Sequence, residues 1–348
     1  MKITAVDPLR VPPGWLFVRI RTDEGITGWG EAGASAYHAT VAAAVHELSE
    51  FLVGTSPSQI EHHWQTLRKV GFFRGGSIAS SAAAAIDCAL WDIAGRTRGV
   101  PVHELVGGPV CDALRAFASI GDADEARDRV AMGFTAFTLR LGRSDTGPAL
   151  LPLVEAVRSA VGPGNDLALD CGGRLSLASA RQLLPLLEPY RLLVLNEPVR
   201  GAPPHVLADL ARRSSVPLSA GRRVYSRWDL PPLLATGLAG VDVDVAAAGG
   251  ISETRRVVAL AETHQIGVSL ASNHGPLALA AALQVGFSTA NILGLAWRAA
   301  GFGAYADYVS SPFGQVEGGC YKRLGGPGLG VTIDGAAVTN AALSRQPR

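Results

Sequence analysis

Cysteine is scarce in this chain: its 348 residues contain four, Cys88, Cys111, Cys171 and Cys320. No CxxC pair and no CxxC…HxxxH spacing joins them, so a zinc site is not expected. A disulfide framework is not expected either, given the length and the compartment argued below. Charge of one sign is also lacking. Lys+Arg 31 balance Asp+Glu 30, and a net charge of +1 leaves no basic excess to displace phosphate counterions, which excludes nucleic acid as the main partner. No block of like charges marks a tail or a membrane-binding face. No stretch approaches the roughly 18 apolar residues of a membrane span. The segment MKITAVDPLRVPPGW lacks the apolar core of a signal peptide. The expected location is the cytoplasm. Phosphate loops are missing too: Gly249-Gly250 and the glycines of 325–330 read as turn residues, with no GxxxxGK[ST] or strand–GxGxxG–helix context.

What is present is length enough for a large core, an ordinary globular balance at 48% hydrophobic, and a change of rhythm. The first part reads as strand, strand, then helices. WLFVRIRT alternates and is followed by the turn Asp23-Glu24-Gly25 and the strand ITGWGEA. Apolar residues recur at helical spacing over 38–52 and 78–95. From about Leu114 short apolar segments recur instead: LRAFASI, AFTLRLG, DLALDCG, LLVLNEP, VPLSAGR, GVDVDVA, GVSLASN and NILGLAW. Helical stretches such as ASARQLLPLLEPY and ISETRRVVALAETHQ separate most of them. Eight βα units are the count of a closed (β/α)8 TIM barrel. The expected fold is α/β: a modified barrel over 114–320, an N-terminal α+β capping domain over 1–113, and a segment, 321–348, that returns to the cap.

The barrel segments are nearly continuous in apolar residues until their last positions, as strands buried on both faces should be. Polar groups then appear at Asp170, Asn196, Arg222, Asp244 and Asn273. The carboxyl ends of barrel strands carry the chemistry of this architecture. Asp170, Asn196 and Arg222 are evenly spaced along the chain, and they form the first candidate group.

Several segments, in order, resemble the enolase superfamily, mandelate racemase subgroup, and within it the galactonate dehydratases. They are RVPPGWLF, TDEGITGWGE, GFFRGG, ALWDIAG with GVPVHELVGG, LEPYRLLVLNEPV, AGRRVYSRWD, AAGGISE, GPLALAAALQV and PGLGVTID. The resemblance runs almost end to end. It implies a capping domain, a modified barrel and a cleft between them, in loops such as 11–15 and 71–76. It also implies a Mg2+ ion held by carboxylates at three strand ends, where it stabilises the anion formed next to a carboxylate. Homo-oligomers are implied too.

Carried over by position, the first metal ligand is Asp170, but the second falls on Asn196 and the third on Arg222. Glu197 should face the helices, because strand side chains alternate. One catalytic histidine position is occupied by Gly172, and an ungapped reading puts the other on Ala271. The partner aspartate persists as Asp244, and the end-strand glutamate becomes Ala296. His274 stands three residues past the expected histidine, where a loop shift would bring it beside Asp244. Thr138 and Arg140 stand on the second strand, and Tyr225 in the fifth-strand loop. Cys171 should face outward as an inert thiol. Arg222 is expected to sit where the metal sat and to pair bidentately with Asp170.

The expected catalytic residues are therefore Asp170, Asp244 and His274, and the expected substrate-binding residues are Asn196, Arg222, Thr138, Arg140 and Tyr225. No metal or other cofactor is expected. The expected function is a metal-independent isomerase or lyase acting on a small, polar, anionic molecule. The alternative is a catalytically inactive homologue that binds a ligand or a partner. A Mg2+-dependent sugar-acid dehydratase ranks last, because it needs Glu197 or another acid to complete the ligand set.

Overall fold

The computed structural model describes residues 1–69, 76–142, 147–271, 273–299, 302–310 and 313–343. The cleft loop expected at 71–76 lies outside them up to residue 75. The cap begins with a three-stranded antiparallel sheet, β1 (Ile3–Val11), β2 (Trp15–Thr22) and β3 (Thr27–Ala32), in that order. The central strand β2 buries Leu16, Phe17, Val18 and Ile20 completely. The expected turn follows it, with Gly25 in the left-handed region at φ 79°.

The cap helix Ser77–Arg98 lies directly on β3. The approach is so close that a Cβ on Gly30 would stand 2.0 Å from the Ala85 carbonyl oxygen, and one on Gly28 would stand 2.2 Å from that of Ala89. Glycine on the strand and alanine on the helix let two backbones meet there. By length and composition this helix is apolar enough to cross a membrane, contrary to the reading of the sequence, but most of it is buried inside the protein. That is the pattern of a core helix.

The barrel contains all eight expected strands: β4 (Ala113–Ile120), β5 (Ala136–Arg140), β6 (Asp166–Asp170), β7 (Val194–Asn196), β8 (Leu218–Ala220), β9 (Gly240–Val243), β10 (Gly267–Leu270) and β11 (Ile292–Trp297). Each pairs in parallel with the next, and β11 pairs with β4 to close the ring. Outward residues such as Leu139, Leu167, Leu169, Leu195, Val243 and Leu295 are buried in the main hydrophobic core. The register aligns Arg140 with Asp170, Asp170 with Asn196, and Asn196 with Ser219. Four inward side chains on four adjacent strands thus meet at one level of the barrel.

The chain then adds β12 (Val316–Glu317) and β13 (Cys320–Lys322), with β13 antiparallel to β4. It runs back to the cap, where Val102 N donates to the Gly328 carbonyl at 2.9 Å and the helix Gly335–Leu343 packs against β1.

Candidate active site

Two groups of side chains stand at the carboxyl ends of the barrel strands. The first is built around Arg222, just past β8. Its Nη2 donates to Asp170 Oδ2 at 2.7 Å, and its Nε donates to Asp242 Oδ2 at 3.1 Å. The guanidinium thus bridges two aspartates on β6 and β9 and does not grip one bidentately, as the sequence suggested. Asn196 extends the network, because its Nδ2 donates to Asp242 Oδ2 at 3.0 Å and its Oδ1 accepts from Ser219 Oγ at 3.0 Å. Asp170 Oδ1 accepts from the Gly172 backbone N–H at 2.9 Å, and Arg140 Nε lies 3.7 Å from Asp170 Oδ2. Burial works against the charge on Arg222, but Asp242 and Asp170 outweigh it and hold the guanidinium above its ordinary pKa.

Glu197 turns away from this network. It adopts φ 48°, and its Oε1 accepts from the backbone N–H groups of Gly221 and Arg222. It therefore braces the turn that carries Arg222. Cys171 is fully buried, and burial pushes its thiol up, out of the reactive range.

The second group is a dyad. His274 Nε2 lies 2.9 Å from Asp244 Oδ2. The ungapped reading had put Ala271 at the histidine position, but the loop after β10 carries His274 to Asp244 instead. Burial opposes a charge on the imidazole. The Asp244 carboxylate, aided by Glu31, overcomes it and raises the His274 pKa to about 9. Tyr305 donates its hydroxyl to the His274 carbonyl at 3.2 Å. Glu31, at the end of β3, clamps the same loop. Its Oε1 accepts from Gly275 N at 2.5 Å and its Oε2 from Ala278 N at 2.9 Å, at the start of the helix Pro276–Phe287. Burial pushes this carboxyl up to about 7, although His274 and the two backbone donors oppose that shift.

Asp170, Asn196, Arg222, Thr138 and Arg140 line one cavity of about 240 Å3, together with Asp242 and Arg298. Asp244 and His274 are not on its wall, although His274 follows Asn273, which is. Tyr225 is not on that wall. Its backbone N–H is held by Asp229 and its carbonyl by Ser80, so it braces the fifth-strand loop. Sequence reasoning missed Asp242 and Glu31. The signal for Asp242 was the spacing in GVDVDV, which puts it on the same face as Asp244 two residues on.

The Mg2+ implied by the resemblance does not fit these residues. The ion needs hard oxygen donors in octahedral array. Here Asp170 and Asp242 already share the Arg222 cation, and Asn196 turns its NH2 group, not its oxygen, toward Asp242. Among the described residues, no three His, Cys, Asp or Glu side chains are grouped to hold a metal.

A closed eight-stranded barrel under an antiparallel cap, with its polar groups at the strand ends between them, defines the enolase-like class of fold. The chain belongs to that superfamily. Residues 121–337 match the enolase C-terminal domain-like family, and residues 13–107 match the mandelate racemase/muconate lactonizing enzyme N-terminal domain. Curated D-galactonate dehydratases are close relatives. That of Ralstonia pickettii (strain 12J) is 40% identical, covering 97% of this chain and 94% of its own. That of Verminephrobacter eiseniae (strain EF01-2) is 39% identical over the same shares. Among solved structures, a putative dehydratase from Salmonella enterica superposes with a TM-score of 0.91 at 25% identity, covering 98% of each chain.

This kinship overturns the function expected from the site residues. Near full-length likeness to curated D-galactonate dehydratases counts against an isomerase and against an inactive homologue. The His274–Asp244 contact is the one that a loop shift was expected to make.

Proposed function

We propose that this protein is a sugar-acid dehydratase. It acts on a polyhydroxylated carboxylic acid and removes one molecule of water. The bond from hydrogen to the carbon next to the carboxylate breaks, the hydroxyl on the following carbon leaves as water, and the resulting enol becomes a 2-keto-3-deoxy acid. The near full-length kinship with curated D-galactonate dehydratases carries this reading. The His274–Asp244 contact at 2.9 Å supports it, because removing such a proton requires a base beside the substrate.

Roles follow from chemistry. Neutral His274 takes the proton, and Asp244 orients the ring and stabilises the imidazolium. Arg222 and Arg140 face the substrate carboxylate, with Thr138 and Asn196 as polar neighbours on the same wall. Arg140, Arg222 and Arg298 outnumber Asp170 and Asp242 in the cavity, which leaves one positive charge for one carboxylate. Asp170 holds Arg222 in position.

The test is a panel of pentonates and hexonates, incubated in D2O with Mg2+ or with a chelator and followed by NMR. The expected result is a 2-keto-3-deoxy product from at least one acid, lost in His274→Ala. Turnover of no acid in either condition, or full turnover by His274→Ala, would sink the reading.

A further inference from the structure

Barrels of this kind are normally filled along their axis by bulky branched side chains in layers. This one is not. Its inward wall carries Ser119, Thr138 and Ala168 in register on β4, β5 and β6, and Ser219, Ser269 and Ala296 on β8, β10 and β11, all small and all lining the same cavity as Arg222. Such short side chains do not meet across the axis, so the bore stays open. The cavity consequently runs from Arg140, Arg222 and Arg298 at the carboxyl ends to Phe117, Leu193, Pro217 and Leu293 near the amino ends of the strands. Along β11 alone it extends from Leu293 to Arg298, roughly 16 Å at the rise of a strand.

The lower end differs from the mouth in chemistry. Leu193 is 36% exposed and Leu293 48% exposed, large apolar side chains at the foot of the barrel. They precede or begin β7 and β11, which are four strands apart in a ring of eight. Leu293 leans over Gly267, where any Cβ would stand 2.7 Å from its side chain. The bore therefore has cations at the top, hydroxyls in the middle and an apolar outlet.

We propose that the bore is a ligand subsite, and that it takes the apolar tail of a 2-hydroxy acid whose carboxylate lies on Arg222 and Arg140. The ligand class is a carboxylate with a hydroxyl beside it and an alkyl chain beyond. This rests on the reading of the arginines as the carboxylate anchor, and it extends the range of ligands bound past the sugar acids. A tail in the bore removes apolar surface from water at both ends, and the small inward side chains give it room.

The experiment uses 2-hydroxyalkanoates of three to eight carbons as probes. They have no hydroxyl on the second carbon from the carboxylate, so they cannot be dehydrated, and binding is read by calorimetry or as competition. The expected result is affinity that rises about two- to fourfold per methylene. Ala168→Leu and Ser269→Leu, which fill the bore, should each abolish that rise while lactate binding and thermal stability are kept. If either leucine variant fails to fold, Ala168→Val or Ser269→Val takes its place. Affinity that does not depend on chain length, or a rise that survives in the filled variants, overturns the proposal. Because the readout is binding, the two readings fail separately. Sugar acids turned over without a chain-length effect would reject the subsite alone, and a chain-length effect without turnover would reject the dehydratase alone.

Discussion

Arg222 Nε donates to Asp242 Oδ2 at 3.1 Å, and the same guanidinium reaches Asp170 at 2.7 Å, so one cation is shared by two buried carboxylates. Removing that cation leaves Asp242 with only the Asn196 amide, and Asp170 with the Gly172 N–H and Arg140 at 3.7 Å, in a poorly solvated place. Arg222→Met should destabilise the protein by about 3–5 kcal/mol at neutral pH, the cost of breaking a buried ion pair from one side. Burial already raises the Asp242 pKa against the pull of Arg222. Without the arginine its carboxyl should take up a proton readily, and the deficit should shrink as the pH falls. Urea unfolding of parent and variant at pH 7 and pH 5 checks this, and an equal deficit at the two pH values would refute it.

The dyad predicts a distinct pH signature. The folded pKa of His274 is raised from 6.5 to about 9, so the folded state holds this proton more tightly than the unfolded chain. The stabilisation is complete below about 6.5, declines as pH rises, and is lost above about 9. Asp244→Asn removes the main cause of the rise and leaves burial in control, so the His274 pKa should fall below 6.5. Histidine NMR titration of parent and variant reads the shift directly. In the parent, kcat/KM should climb toward pH 9 as neutral His274 accumulates, and in Asp244→Asn that limb should move to lower pH with a much reduced plateau. An unchanged titration in the variant would break the link between Asp244 and the base.

The parts of this molecule that were legible in the sequence are those set by local pattern. Eight apolar segments separated by helices announce a barrel whatever the side chains at their tips, and the polar residues ending DLALD and LLVLN lie where strand geometry requires. What could not be read depends on closure. Asn196 on β7 meets Asp242 on β9 across the intervening β8, and nothing in the spacing of the two residues says so. The sequence offered Ala271 by ungapped count and His274 by a loop shift, and only the path of the loop decides which of them reaches Asp244. The open bore was hidden for a similar reason: Ser119, Ala168 and Ser269 are unremarkable until closure of the ring puts them on the wall of one cavity. The function was misjudged because substitutions at three strand ends were weighed above likeness along the whole chain.

Glu31 ties the cap to the catalytic loop. Its two oxygens accept from Gly275 N and Ala278 N, which would otherwise be orphan donors at a buried helix start. Glu31→Ala should cost about 1–3 kcal/mol for the unsatisfied groups. It should also reduce kcat more than it raises KM, because the loop that presents His274 is freed while the arginines are untouched. Steady-state kinetics with thermal unfolding separate the two effects. A variant with lost stability but parental kcat would mean that Glu31 only seals the domain junction.

The seating of the cap can be tested far from any catalytic group. At Gly30 there is no room for a methyl group, since a Cβ would lie 2.0 Å from the Ala85 carbonyl oxygen, an atom of helix backbone that cannot rotate aside. Gly30→Ala must therefore push the helix Ser77–Arg98 away from β3, at a cost of about 1–3 kcal/mol or more. Glu31 is the next residue, so the displacement should pass to Gly275 and on to His274. The expected outcome is a lower melting temperature together with a lower kcat. A Gly25→Ala control, at a glycine with open space around it but φ 79°, should lose stability without losing kcat. If Gly30→Ala matched the parent in both measurements, the cap helix would not lie against β3 at backbone contact.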